Sequence, residues 1–167
     1  MRALMTAGKA LDRNHVGAYN CSYIPIDHPR AFDELLYILM CGTGVGFSVE
    51  RNSVDMLPPV ADKMQTVDTI VMVEDSKEGW ATAYRQLLEL LWVGKVPGYN
   101  VDAVRPSGSR LETFGGRASG AQPLVDLFEF TINVFQNAAG RQLYPIECHD
   151  LACKIGQVVV VGGVRRS

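Results

Sequence analysis

The chain has 167 residues, of which 47% are hydrophobic and 20% charged, and its 16 Lys and Arg against 18 Asp and Glu give a formal net charge of −2. A chain of this length can bury a full hydrophobic core, and this composition excludes an intrinsically disordered protein. The balanced charge argues against a nucleic-acid-binding protein that works through a basic surface.

The sequence also lacks the marks of a membrane or secreted protein. No stretch reaches about 18 consecutive apolar residues. Within residues 1–15, the charged residues Arg2, Lys9 and Asp12 interrupt any apolar segment. We therefore expect a cytoplasmic protein with no membrane partner, whose four cysteines are thiols rather than a disulfide framework. Cys148 and Cys153 form an isolated C-x4-C pair, which is a poor zinc signal, so no metal site is predicted.

The first half of the chain alternates between predicted strands and helices. Residues 19–26 are β-rich and place Cys21 on one face with Tyr19 and Tyr23. Residues 29–40 have apolar side chains at helical spacing, and Gly42 is expected to end that helix. The glycines that follow, as far as Gly46, are expected to form a tight turn into a strand that includes residues 47–49.

The second half continues this alternation. The pattern predicts a connection over 52–66, a strand over 67–73 and a helix over 80–92, for which Asp75 or Ser76 is the expected cap. It then predicts a loop over 97–120, helices over 123–136 and 145–155, and a final strand that contains the valines 158–161. The fold class is therefore α/β. About four strands suffice for a small open sheet but not for a closed barrel, so the chain is either a small α/β domain or part of a larger one.

Two glycine-rich segments are candidate ligand sites. In Gly42-Thr43-Gly44-Val45-Gly46, glycine lets the backbone approach a phosphate, but the order of helix, glycines and strand is not that of a Rossmann fingerprint, and a simple turn is equally compatible. Gly162-Gly163-Val164-Arg165-Arg166 follows the predicted last strand, where open α/β sheets bind ligands. The alternative there is a solvated basic tail.

The cysteines and histidines form no catalytic pattern on their own. Cys21 lies in a predicted strand and Cys41 at the end of an apolar helix, and burial statistics favour an inert core role for each. His15, His28 and His149 are scattered and form no Ser/His/Asp or HExxH arrangement.

Several strings taken together resemble one family, the adenosylcobalamin-dependent (class II) ribonucleotide reductases, and especially their monomeric ribonucleoside-triphosphate reductase type. The strings are RALMTAG at 2–8, YNCSY at 19–23, GTGVGFSVER at 42–51, DSKEGW at 75–80, RPSG at 105–108, FGGRASGAQPL at 114–124 and VVVVGGVRRS at 158–167. They occur in order along nearly the whole chain. The resemblance implies part of a ten-stranded α/β barrel that reduces the ribose 2′ position with a thiyl radical generated by adenosylcobalamin.

The resemblance also implies roles for individual residues. Cys21 is similar to the first of two redox cysteines, while Asn20, Thr43 and Gly44 occupy positions that line the substrate. The segment Gly162, Gly163, Val164 and Arg165 resembles the specificity loop, which passes information from a deoxynucleotide effector to the ribonucleotide substrate. Within the partial barrel domain of residues 1–167, residues 60–104 resemble an insertion at the effector site.

Other parts expected of this family have no counterpart in the sequence. The missing parts are the radical cysteine, the second redox cysteine, the cysteine pair that exchanges electrons with thioredoxin, and most cobalamin contacts. In this family they lie outside the region that the chain resembles. Cys41, Cys148 and Cys153 match none of these cysteines. We therefore expect a fragment or split-gene piece that is inactive without the complementary reductase segment. The alternatives are a non-catalytic nucleotide-binding module and an inactive remnant with an exposed sheet edge at the valine strand.

Overall fold

The computed structural model describes residues 14–110 and 117–161. The elements are a 3-10 helix (His15–Ala18), four strands and five helices: β1 (Cys21–Pro25), α1 (Ala31–Met40), β2 (Gly44–Ser48), α2 (Arg51–Val54), β3 (Gln65–Met72), α3 (Lys77–Trp92), β4 (Lys95–Asn100), α4 (Gln122–Asn137) and α5 (Pro145–Val161). The predicted mixed α/β class is thus confirmed. Within these residues, no helix combines the length and apolarity needed to cross a membrane.

The first strand–helix–strand unit consists of β1, α1 and β2. Phe32, Leu35, Leu36 and Leu39 form the buried stripe of α1, as their spacing predicts. The helix ends at Met40 and is followed by Gly42, whose φ of +81° is the left-handed conformation that glycine adopts readily after a helix. Strand β2 then runs parallel to β1, with Gly44 opposite Cys21. The helix connection suits this parallel pairing.

The second unit consists of β3, α3 and β4, with β3 and β4 parallel. Ser76 caps α3 by accepting a 2.9 Å hydrogen bond from the Gly79 amide, in agreement with the predicted cap. The expected loop over 97–120 is wrong at its start, because Pro97 and Gly98 lie within β4. The register shifts between the pairs Thr66–Val96 and Ile70–Gly98, and Pro97 falls in this irregularity, where a missing N–H is tolerated.

The strands form two separate two-stranded sheets in the described part of the chain rather than one small open sheet. The helices fill the space around them: α1 packs against α3 and α5, and α4 packs against α3 and α5. Phe32 and Phe135 both contact the Trp92 ring, at centroid distances of 6.3 and 4.8 Å. The core is therefore built mainly between helices.

The predicted final strand is wrong, because α5 continues as a helix through Val161. Valine favours strands, but intrinsic propensity is a weak preference that packing overrides. The buried residues of this segment follow the helical period: Cys148, Leu151, Ala152, Ile155, Val158 and Val159. The exposed sheet edge expected at these valines is therefore absent, and with it the reason for expecting a poorly folded remnant.

Candidate functional site

Cys21 is exposed at the first position of β1. The predicted alternation of β1 is confirmed, since Cys21 and Tyr23 are exposed whereas Ser22 and Ile24 are half-buried. The expectation that Cys21 is a core residue is wrong, because Cys21 lies on the outer face of a two-stranded sheet whose other face packs against the core. A thiol in this position is accessible to a reactant.

Glycines of β2 leave space beside this thiol. Gly44 is the register partner of Cys21, and Gly46 is the partner of Tyr23. Neither glycine has a positive φ, and a Cβ atom built at Gly44 would lie 3.5 Å from the nearest atom, the Asn20 carbonyl oxygen. The described fold would thus accept a side chain at both positions. Their effect is to keep the outer face of β2 free of side chains next to Cys21 and Tyr23.

The predicted neighbours of Cys21 fall around the same strand end. Asn20 donates from Nδ2 to the Cys21 sulfur at 3.4 Å, and its carbonyl oxygen accepts from the Gly44 amide at 3.0 Å. Thr43 is buried, and its hydroxyl lies 2.8 Å from the Val16 carbonyl oxygen and 2.9 Å from that of Tyr19. The structure thus brings Asn20, Cys21, Thr43 and Gly44 together, with the Thr43 hydroxyl facing inward.

Cys41 occupies a different environment from Cys21. It is buried, and its sulfur accepts hydrogen bonds from Asn14 Nδ2 at 2.8 Å and from Lys77 Nζ at 3.9 Å. Tyr37 is close by, and burial, followed by the effects of Cys41 and Glu78, raises the pKa of Tyr37 to about 12. The inward position of Cys41 agrees with the core role predicted for it.

The last two cysteines lie on opposite faces of α5. Cys148 is fully buried, and burial together with Glu147 raises the pKa of its thiol to about 12, which keeps it protonated at neutral pH. Cys153 is exposed, with its sulfur 3.6 Å from His149 Nε2. All four cysteines are free thiols. Across the residues that the structure describes, no three His, Cys, Asp or Glu side chains are grouped to hold a metal ion.

The predicted specificity loop, Gly162 to Arg165, lies outside the described residues. So does most of the FGGR segment at 114–117, apart from Arg117, whose Nη1 donates to the Gly108 carbonyl oxygen at 3.0 Å.

A charged cleft between α1 and α3 is a feature that sequence reasoning missed. The cleft has a volume of about 370 Å³ and includes Asp33 and Arg85 in its lining. Asp33 is 1% exposed, and its Oδ2 accepts from Arg85 Nε at 2.9 Å and Nη2 at 2.7 Å. Its Oδ1 has no hydrogen-bond partner, and burial raises the pKa of this carboxyl despite the guanidinium. The available signal was an acidic residue between Phe32 and Leu35, beside the apolar stripe of α1.

This fold occurs in a solved protein. The crystal structure of a B12-dependent (class II) ribonucleotide reductase matches 96% of this chain with a TM-score of 0.76 at 22% identity, and the match covers 29% of that protein. The chain therefore has the fold of part of a class II ribonucleotide reductase.

Sequence comparison identifies the family. The family model described as "B12-dependent ribonucleotide reductase, insertion domain" matches residues 48–135, which is more than half of the chain. The chain belongs to the B12-dependent ribonucleotide reductase family, and the interval 60–104 lies within this match.

Two relatives are named adenosylcobalamin-dependent ribonucleoside-triphosphate reductases. That of Levilactobacillus brevis is 32% identical over 77% of this chain, and that of Lacticaseibacillus paracasei is 31% identical over 86%. The matches cover 22% and 25% of those relatives, so the chain spans about a quarter of their length.

The cofactor named in these relatives does not fit the cleft between α1 and α3. A corrin ring is large and carries a metal, whereas the cleft between α1 and α3 is small and lined by paired charges such as Arg30 and Glu34.

Proposed function

We propose that this chain supplies the first redox cysteine and the substrate-binding turn of an adenosylcobalamin-dependent ribonucleotide reductase, acting together with the remainder of that enzyme. The substrates are ribonucleoside triphosphates or diphosphates, and the products are the corresponding deoxyribonucleotides. Family membership supports the reaction class. The observation that carries the proposal is the exposed Cys21 thiol beside the bare backbone of Gly44.

The chemistry requires a second thiol from the remainder of the enzyme. Two thiols deliver two electrons and two protons, the ribose 2′-hydroxyl leaves as water, and the two sulfurs become a disulfide. A thioredoxin-type reductant then returns both to thiols by disulfide exchange. Adenosylcobalamin supplies radical initiation in the complete enzyme. Cys21 suits the role of reductant because a strand fixes its sulfur at an accessible surface.

The groups around Cys21 suit a ribose phosphate. The Asn20 side chain can exchange its weak 3.4 Å contact with the Cys21 sulfur for a hydrogen bond to a sugar hydroxyl. Gly44 lets a substrate approach the backbone of β2 closely. Because its hydroxyl is buried, Thr43 would contribute to substrate binding through its main chain.

The proposal also includes two segments that would bind or respond to an effector nucleotide. Residues 60–104 would form the effector-site insertion that binds a deoxynucleotide, and Gly162, Gly163, Val164 and Arg165 would form the specificity loop. Two glycines give this segment the backbone freedom that a switch between effector states requires.

The test is turnover of the complete reductase with Cys21→Ser, assayed with ribonucleoside triphosphate and diphosphate in parallel. Cys153→Ser is the matched control, because Cys153 is the other exposed cysteine. We expect Cys21→Ser to reduce deoxynucleotide formation by about a thousandfold or more, since the thiol is a reactant. Cys153→Ser should leave turnover unchanged. Normal turnover by Cys21→Ser would refute the proposal.

A further inference from the structure

Thr43 is a buried polar residue at the junction between α1 and β2. It is 0% exposed, and its hydroxyl lies between two carbonyl oxygens, that of Val16 at 2.8 Å and that of Tyr19 at 2.9 Å. A hydroxyl has one proton, so it donates to one carbonyl at a time, and the second is a close alternative. This side chain joins the turn before β2 to the segment that leads into β1.

The segment held by Thr43 ends at Cys21. The Tyr19 carbonyl contacts the Thr43 hydroxyl, and the next carbonyl along the chain, that of Asn20, accepts from the Gly44 amide at 3.0 Å. Two consecutive carbonyl groups before Cys21 are therefore fixed by two consecutive residues, Thr43 in the turn and Gly44 at the start of β2. Loss of these two hydrogen bonds would free the backbone on the N-terminal side of the Cys21 thiol.

Asn14 forms further hydrogen bonds at the N-terminal end of this segment. Asn14 Oδ1 accepts from the Val16 amide at 3.0 Å and caps the short 3-10 helix, while Asn14 Nδ2 donates to the Cys41 sulfur. The Val16 carbonyl then meets Thr43. Residues 14–20 are thus anchored at both ends to the region where α1 ends, and Thr43 contributes the contacts closest to Cys21.

We propose that Thr43 is a positioning residue for the Cys21 thiol: its side-chain hydroxyl acts through the backbone of residues 16–20 and does not itself touch substrate. This inference rests on the proposed redox role of Cys21. Reductive chemistry depends on the placement of the sulfur, and a displacement of about 1 Å can cost about a hundredfold in rate. The hydroxyl is the essential group, because the methyl group of threonine cannot hold a carbonyl oxygen.

The experiment compares Thr43→Val and Thr43→Ser in the complete reductase. Valine keeps the shape and removes the hydroxyl, whereas serine keeps the hydroxyl and removes a methyl group. Thr131→Val is the matched control, because Thr131 is also 0% exposed and its hydroxyl also has two partners, the Leu127 carbonyl oxygen at 2.7 Å and the Tyr84 hydroxyl at 3.1 Å. The readouts are kcat, KM and amide hydrogen exchange of peptides that span residues 14–24.

We expect Thr43→Val to lower kcat by about tenfold to a hundredfold with KM changed less than about twofold. Exchange in residues 14–24 should accelerate in the same variant. Thr43→Ser should restore both readouts, and Thr131→Val should leave both near the wild-type values. The proposal fails if Thr43→Val matches Thr131→Val in kcat, or if serine does not rescue.

The outcome can be separated from that of the proposed function. Hydrogen exchange reports on the backbone before Cys21 whether or not this cysteine is a redox group. Unchanged exchange in Thr43→Val would refute the positioning role by itself, whereas full turnover of Cys21→Ser would refute the redox role and leave the exchange result intact.

Discussion

The two strand–helix–strand units of this chain share one architecture but differ in chemistry. In each unit two parallel strands are joined by a helix, and a glycine of the second strand lies opposite an exposed residue of the first. That exposed residue is Cys21, opposite Gly44, in the first unit and Ile70, opposite Gly98, in the second. The same backbone frame therefore presents a thiol in one unit and an alkyl group in the other.

The redox role proposed for the first unit therefore depends on an individual side chain rather than on the unit as a fold. The two units are also physically linked, because Asp33 of α1 bonds to Arg85 of α3 at 2.7 Å. The second unit therefore stabilises α1, the helix that connects β1 and β2.

Breaking this link should have the largest effect on stability. Arg85→Met leaves Asp33 buried without its cation, and we expect a loss of about 2–3 kcal/mol at pH 7, below the range for fully buried pairs because Arg85 is 36% exposed. Urea denaturation measures this loss. Arg30→Met is the control, because Arg30 and Glu34 form a surface pair, and it should cost less than about 0.5 kcal/mol.

The loss should also depend on pH in a defined direction. The pKa of Asp33 is raised in the folded protein, so the folded state holds this proton more tightly than the unfolded state does. Stability from this group therefore falls as the pH rises from the ordinary Asp value, about 3.9, through the raised value. Arg85→Met should raise that pKa further, so its cost should shrink when the pH is lowered toward about 4. A cost that grows at low pH would contradict this account.

A side chain added at Gly44, beside the Cys21 thiol, should lower activity, whereas the same change in the second unit should not. Gly44→Ala adds a methyl group next to Cys21, and we expect kcat/KM of the complete reductase to fall about tenfold, the usual scale for one extra methyl group in a binding site. The backbone should tolerate the change, because φ is not positive and the nearest atom to the new Cβ lies 3.5 Å away. Gly98→Ala is the matched control and should leave kcat/KM unchanged when both variants are assayed without effector nucleotide, because Gly98 lies in the proposed effector-site insertion. Equal losses in the two variants would show that the glycines act on the fold.

The smallest predicted effect concerns α5, which packs against α1 of the first unit. Gly156 lies inside α5, and a Cβ atom at this position would have no neighbour within 4 Å. Gly156→Ala should therefore stabilise the chain by about 0.5–1 kcal/mol, because glycine loses more backbone freedom in a helix than alanine does. Thermal or urea denaturation measures this gain. A loss of stability would argue against a helix at this position.

The long helices were predictable from sequence because their buried faces repeat at helical spacing. The stripe of α1 at Phe32, Leu35, Leu36 and Leu39 is one case, and Ser76 before α3 is a side-chain cap that sequence also indicates. Strand β4 was missed because Pro97 and Gly98 read as a loop, and only the register irregularity opposite them explains why a strand accepts both. The end of α5 was missed because four valines favour a strand by composition.

The candidate site was predictable in part. Alternation along 19–26 placed Cys21 and Tyr23 on one face correctly, but burial statistics gave the wrong expectation for the Cys21 thiol, since they do not register that one face of a two-stranded sheet is left open. The contact of Thr43 with Val16 and Tyr19 joins residues 24 to 27 positions apart, which no local pattern reports. The pairing of Asp33 with Arg85 is equally non-local.

We propose that Cys21 is consumed as a reductant, and a single-turnover experiment can detect this consumption. The complete, fully reduced enzyme would react with one equivalent of ribonucleotide without external reductant, and its thiols would then be alkylated and mapped by mass spectrometry. We expect Cys21 to become resistant to alkylation in proportion to the deoxynucleotide formed, while Cys153 remains fully alkylated. Product formation with Cys21 still alkylated as a free thiol would contradict it.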